Sequence, residues 1–357
     1  MKITLHKISL PLAHKFTIAR GSMTTQGSLV VELEHEGQHG YGEVTQNAFY
    51  GHTFESMTES LMKAADHLDR YIDGSPTDVW PAMLEIMGHD MFALSALDMA
   101  AHDLRGRLLG VPTWQDWGLN WNDPIDSSYT IGIDSIDGMV ARLHEQLGWK
   151  IYKIKLGTDQ DIEIVTELRK QTEAVFRVDA NCGWTTDEAI RNSKSLADLN
   201  VEFIEQPLPT TASRKDKLKL FAKTALPIVA DEDCQTVGDV ERCNGLFHGV
   251  NVKICKCGGL TPALQMLRHA RELEMTTMVG CMVESSIGIS GAAQLLPLLD
   301  YADLDGAVLL KDEPASGVKV NQGQVVLSEK SGCGGELHPH RLAEFRYVSG
   351  RSSEQST

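Results

Sequence analysis

What this chain lacks narrows it before any motif is considered. No stretch of about 18 apolar residues occurs in it, so nothing reads as a membrane-spanning helix. Met1-Lys2-Ile3-Thr4-Leu5-His6 does not lead into the apolar core of a secretory leader. No basic block interrupts a formal charge of −16, which argues against nucleic acid and anionic membrane as partners and says little about a small substrate. The seven cysteines are odd in number, scattered and without zinc-type pair spacing, so they read as reduced, buried thiols. A soluble cytoplasmic protein is expected.

What is present suits a barrel of about 250 residues with an attached module, because the 357 residues exceed one ordinary domain and 42% of them are apolar. Residues 2–10 and 27–45 alternate or run apolar around the polar turn Glu34-His35-Glu36-Gly37-Gln38-His39-Gly40, which predicts a short antiparallel sheet. Helical spacing follows over roughly 54–72 and over 90–109, where Gly110 and Pro112 end it. Residues 1–115 thus read as an α+β domain. From Ser127 the pattern becomes strand then helix, with eight candidate strands starting near 128, 151, 175, 201, 227, 250, 276 and 303. Crossover helices fit 159–173, 187–199, 237–245 and 261–274. Eight such units imply a closed α/β barrel over 116–316. The segment 317–357 has no barrel role and is expected to return to the N-terminal module, ending in about ten disordered residues.

Five charged residues lie at the ends of consecutive strands. Lys155 to Asp179 is 24 residues, Asp179 to Glu205 and Glu205 to Asp231 are 26 each, and Asp231 to Lys256 is 25. That period collects all five at the C-terminal rim of a parallel barrel, where barrel enzymes build their sites. Asp179, Glu205 and Asp231 offer three oxygen ligands from adjacent strands and no histidine or cysteine, which favours Mg²⁺ over zinc. Asn181 could hydrogen-bond a ligand carboxylate; Glu232 and Asp233 stay open between salt bridge and function, and Glu202 faces away. Lys153 and Lys155 share one face of their strand, and their mutual repulsion should lower a pKa and make one a better base. Lys256 lies half-way round the barrel from Lys155, while Lys253, three residues earlier, is assigned to the opposite face or the strand body. A substrate carboxylate on the metal would then hold its α-carbon between two lysines, with the metal stabilising the enediolate.

At these residues the chain resembles the enolase superfamily, specifically the muconate-lactonizing subgroup with its KxK motif, Lys153-Ile154-Lys155. The resemblance covers nearly the whole chain. It implies a modified TIM barrel, (β/α)7β, under an α+β N-terminal capping domain, with one Mg²⁺ per subunit on Asp179, Glu205 and Asp231. It further implies Lys155 and Lys256 as the acid/base pair, Lys153 tuning Lys155, and an assembly of identical subunits. Asp303-Leu304-Asp305 looks like the motif with which dipeptide epimerases hold the substrate's free ammonium, two inward carboxylates making an anionic clamp. A flexible loop around 15–26 would close over the barrel, and its Arg20 resembles the arginine that contacts an acidic second side chain in Ala-Glu epimerases. Tyr50 or His52 would contribute from a second loop. In the segment Cys281-Met282-Val283-Glu284-Ser285-Ser286, Glu284 would hydrogen-bond the substrate carboxylate, and Gly280 would permit close backbone approach. The resemblance therefore implies a Mg²⁺-dependent dipeptide epimerase acting by 1,1-proton transfer at the α-carbon of the C-terminal residue. Rivals on the same fold are N-acylamino acid racemisation, o-succinylbenzoate synthesis and muconate cycloisomerisation, whose substrates carry no ammonium. Acid-sugar dehydration would need a histidine base that the later strands lack, and a non-catalytic metal-binding scaffold would have no reason to keep both lysines.

Overall fold

The computed structural model describes residues 1–122 and 124–349. The chain begins with three antiparallel strands, β1 (Lys2–Ile18), β2 (Gly21–His35) and β3 (Gln38–Thr45). Apolar residues of both parities are buried, which explains the continuous apolar run Leu29-Val30-Val31 in β2, while β1 alternates with Lys7 and Ser9 exposed. Ile3, Leu5, Leu29, Val31 and Leu33 pack against the cap's own helices through Met57, Leu61 and Leu97. Ile8, Leu10 and Val30, of the other parity, pack with Ile287 of a barrel helix. The long helix Met91–Leu109 starts at Asp90, whose carboxylate accepts from Ala93 N–H, and stops at Gly110 with φ 71°. The helical segment expected over 54–72 is broken into Phe54–Ala64, a 3-10 turn and Arg70–Asp73.

The expected flexible loop at 15–26 is instead the end of an extended hairpin. Phe16 pairs with Met23, Thr17 with Ser22 and Ile18 with Gly21, so only Ala19 and Arg20 form the turn. This arm lies across the barrel rim, where Ile133 N–H donates to Thr17 O at 2.8 Å.

The barrel consists of β4 (Tyr129–Ile131), β5 (Ile151–Lys155), β6 (Val175–Asp179), β7 (Val201–Glu205), β8 (Ile228–Ala230), β9 (Gly249–Val252), β10 (Thr276–Gly280) and β11 (Tyr301–Asp303). All neighbours are parallel and follow chain order. The seam between β11 and β4 carries the isolated bridge Ser127 to Ala302 and is completed by hydrogen bonds from Ser128 and Thr130 to Asp303 and Asp305. Short pairings follow, β12 (Ala315–Ser316) with β15 (Glu336–Leu337) and β13 (Lys319–Asn321) with β14 (Gln324–Val326). The chain then returns as β16 (Arg346–Ser349), which adds to the cap sheet beside β1. Of the tail expected to be disordered, Val348 and Ser349 belong to that strand, and 350–357 lie outside the described residues. Among the described residues no helix is long and apolar enough to cross a membrane.

Buried cap carboxylates fasten cap to barrel at helix N-termini, where backbone donors are unpaired. Glu43 accepts from Ser285 N–H at 3.1 Å and Gly288 N–H at 3.0 Å. Asp98 accepts from Thr261 N–H and the Thr261 hydroxyl, both at 2.8 Å. Burial pushes the Asp98 carboxyl from its ordinary 3.8 up to about 7. A raised carboxyl pKa means that the folded state holds its proton longer than the unfolded chain does. The associated stability is full below about pH 4 and is lost as pH rises to about 7, at roughly 1.4 kcal/mol per pH unit. Denaturant titrations at pH 4.5 and 8 should therefore show a smaller loss of stability for Asp98→Asn than for the parent; equal losses would refute this origin.

Candidate active site

Strand alternation sets the site. Phe203, Val229 and Met278, with the half-buried Tyr301 packed against them, fill one layer inside the barrel. Two residues further along the same strands come Glu205, Asp231, Gly280 and Asp303, facing the same way at the rim. Lys155, Asp179 and Glu205 lie side by side in register on β5, β6 and β7. Asp231 stands one residue beyond β8.

The carboxylates of Asp179, Glu205 and Asp231 are buried and present ligand oxygens all within 4.8 Å of one another. Neighbours fix their orientation. Asn251 Nδ2–H donates to Glu205 Oε1 at 2.8 Å, in space left by Gly280, where a Cβ would come within 2.8 Å of that amide. Asp179 Oδ1 accepts from Asn181 N–H at 2.9 Å, and Gln206 Oε1 accepts from Asp231 N–H at 3.0 Å. Burial, reinforced by the charges of Asp179 and Asp231, pushes Glu205 up to about 7. Burial would raise Asp179 and Asp231 as well, but Lys155 and Lys153 outweigh it at the first, and Lys253 and Lys256 at the second. Three buried oxygen donors crowded this closely fit a hard divalent cation such as Mg²⁺.

Lys153 is not a depressed base. Its Nζ lies 2.8 Å from Asp303 Oδ2, 2.7 Å from Glu205 Oε2 and 3.4 Å from Asp179 Oδ2. Burial alone would lower its pKa, but these carboxylates outweigh it and hold the ammonium well above the ordinary lysine range. Lys155 Nζ lies 2.6 Å from Asp179 Oδ2 and borders the open space of the site.

The two lysines after β9 exchange the positions expected of them. β9 ends at Val252, so Lys253, two residues past the inward Asn251, continues the inward alternation. It lines the site cavity with 11% of its side chain exposed and Nζ 3.0 Å from Asp231 Oδ2. The chain then turns into the helical segment Ile254–Cys257. That turn swings Lys256 behind the rim, fully buried, with its Nζ donating to Asp231 O at 2.6 Å and also to Asp231 Oδ1. Lys256 is not among the residues lining the cavity. Continued alternation from Asn251 is the signal in the sequence that would have found Lys253.

Asp303 and Asp305 both reach the cavity on the far side of Lys153. Asp303 accepts from the Ser128 hydroxyl at 3.0 Å, and Asp305 from Thr130 N–H at 2.6 Å. Burial and the Asp303 charge push Asp305 up to about 8. At Asp303 burial is outweighed by Lys153, which holds that carboxyl low. This buried, doubly acidic corner is suited to a cation with several N–H donors.

The cavity enclosing these groups measures about 370 Å³ and is walled by cap and barrel together. Arg20 reaches it from the hairpin tip, with Nη1 2.6 Å from Glu232 Oε1. Tyr50 and Asn181 also line it. His52 does not; it stacks on Phe92 with Nδ1 3.2 Å from Asp90 Oδ1. Glu284 is likewise not among the lining residues. Beyond β10 the loop folds its carboxylate back to accept from Met282 N–H at 3.0 Å, away from the space where the substrate carboxylate was expected. Glu202 pairs with Arg177 at 2.7 Å, away from the rim triad.

Comparison with known proteins agrees with this geometry. Residues 2–118 match the mandelate racemase / muconate lactonizing enzyme N-terminal domain, and residues 138–341 match the enolase C-terminal domain-like family. The chain belongs to this enolase-like family. It is 47% identical over 334 residues to the L-Ala-D/L-amino acid epimerase of Flavobacterium johnsoniae, covering 94% of this chain and 99% of that one. Among solved structures, the dipeptide epimerase of Cytophaga hutchinsonii, complexed with Mg and D-Ala-L-Val, superposes with a TM-score of 0.91 at 25% identity, covering 98% of this chain and 99% of that one. The N-succinyl Arg/Lys racemase of Bacillus cereus superposes with 0.87 at 26% identity, covering 98% of each chain.

Proposed function

We propose that this chain is a Mg²⁺-dependent dipeptide epimerase, transferring the α-proton of the C-terminal residue from one face of the α-carbon to the other. The observation that carries the reading is one cavity bordered by Lys155, Lys253, Asp231 and the Asp303–Asp305 pair. The activities of the similar epimerases support it. Asp179, Glu205 and Asp231 would hold the cation, which supplies positive charge against the substrate carboxylate as the α-carbon becomes electron-rich.

The remaining roles belong to side chains. The dipeptide's ammonium sits against Asp303 and Asp305, one peptide unit from its carboxylate end. β5 and β9 are four strands apart in an eight-stranded barrel, so Lys155 and Lys253 face the α-carbon from opposite sides. One of them, as the neutral amine, takes the proton while the C–H electron pair moves into the carboxylate to give an enediolate. The other, as the ammonium, delivers a proton to the opposite face. Lys153 stays charged among its carboxylates and adds fixed positive charge beside this chemistry. We assign residues 116–316 to the reaction, and residues 1–115 with the returning strand β16 to enclosure and selection; Val318 and Val325, in the segment expected to have no barrel role, pack in the barrel core instead. A cytoplasmic location and an assembly of identical subunits complete the reading.

The test is incubation of the protein with Mg²⁺ and L,L-dipeptides in deuterated water. Mass spectrometry should find one deuteron per molecule, early on mainly in the product epimer. Exchange into N-succinylamino acids with none into any dipeptide would transfer the site to the racemase rival.

A further inference from the structure

On the cap side the cavity is lined by Arg20, which is held from behind by a buried acid that belongs to neither the carboxylate triad nor the lysine pair. Arg20 and Glu232, 212 residues apart in the chain, meet at 2.6 Å. The Glu232 side chain is 2% exposed and that of Arg20 29%. The guanidinium also lies over the Phe49 ring, 4.4 Å from its centroid. Around the pair the cap contributes Phe16, Ile18 and Met23 to the cavity wall, and the barrel contributes Val283 and Leu309.

Substrate geometry determines what meets this wall. Of the four substituents on the reacting α-carbon, the carboxylate is drawn to the triad, the amide leads toward Asp303 and Asp305, and the proton faces a lysine. The side chain of the second residue is therefore left to extend toward the cap. An unpaired arginine there would receive a carboxylate. A guanidinium already neutralised by a buried glutamate does not, because an incoming acid would lose its water beside Glu232 and share one cation with a second anion.

We propose that the Arg20–Glu232 pair is a neutralised selectivity wall, so that dipeptides with an uncharged, apolar second side chain are favoured over those with an acidic one. The inference rests on the dipeptide-epimerase reading and reverses the expectation that Arg20 receives an acid. Selectivity then follows the net charge of the pair. Glu232→Gln frees the arginine and should raise the ratio of kcat/KM for L-Ala-L-Glu over L-Ala-L-Met by about tenfold. Arg20→Met leaves the glutamate alone and should raise the L-Ala-L-Lys over L-Ala-L-Met ratio by a similar factor.

The experiment is deuterium exchange on these three dipeptides with the parent and both variants, at saturating Mg²⁺. Opposite shifts in the two variants, with L-Ala-L-Met the best substrate of the parent, support the wall. A parent that prefers L-Ala-L-Glu, or ratios that move in neither variant, overturns it while leaving the epimerase intact. Absence of exchange in every dipeptide overturns the wall and the epimerase together.

Discussion

Lys253→Ala is expected to lower dipeptide epimerisation by roughly 10²–10⁴-fold while Mg²⁺ binding persists. The size follows from removing one of two proton-transfer groups from a reaction that needs an acid and a base on opposite faces. Lys155 would still reach its own face, so the variant should exchange the α-proton of one epimer for deuterium without converting it to the other. Lys256→Ala should behave differently. Its ammonium holds the backbone carbonyl and carboxylate of Asp231 from behind. Losing it should loosen that carboxylate and raise the Mg²⁺ concentration needed for half-maximal activity. Calorimetric Mg²⁺ titration alongside single-epimer exchange separates the two lysines. If Lys256→Ala lost all turnover at full Mg²⁺ occupancy and Lys253→Ala remained active, the base would be Lys256 after all.

Asp305→Asn should reduce kcat/KM for free dipeptides by about 10²-fold or more, because it removes half of a buried anionic pair facing a desolvated ammonium. Asp305 is the cleaner site to change. Asp303 also holds Lys153 at 2.8 Å, so Asp303→Asn would disturb the lysine and the carboxylates around it. The pKa of about 8 at Asp305, raised by burial and by the Asp303 charge, supplies a second readout. A bound ammonium relieves that repulsion, so its binding should displace a proton from the pair below about pH 8 and weaken as the pH falls. An N-acetylated dipeptide, which offers no ammonium, should be a poor substrate of the parent and lose little further in Asp305→Asn. Equal loss on free and acetylated dipeptides would assign Asp305 a structural role.

Much of this architecture follows from the order of residues alone. The 24- to 26-residue spacing from Lys155 to Asp231 determined the strand–helix repeat, and each strand's alternation then aimed its terminal acid inward. The resulting carboxylate cluster is a consequence of local periodicity plus closure of the barrel. The same alternation made both members of the Asp303–Asp305 motif face one way. These features are legible because they depend on a two-residue period and a constant repeat.

The remaining features depend on where periodicity stops and on what lies across the fold. Lys253 and Lys256 are separated by three residues, and only the place at which β9 gives way to a helical turn decides which enters the cavity. Glu284 was expected at the carboxylate end, but the loop after β10 folds it back onto Met282 N–H. Arg20 reads in the chain as an unpaired loop cation, and its charge is cancelled by a glutamate 212 residues away. Local pattern sets the direction of a side chain within a strand; strand ends, loop paths and long-range charge partners are set by packing of cap on barrel, which no local window contains.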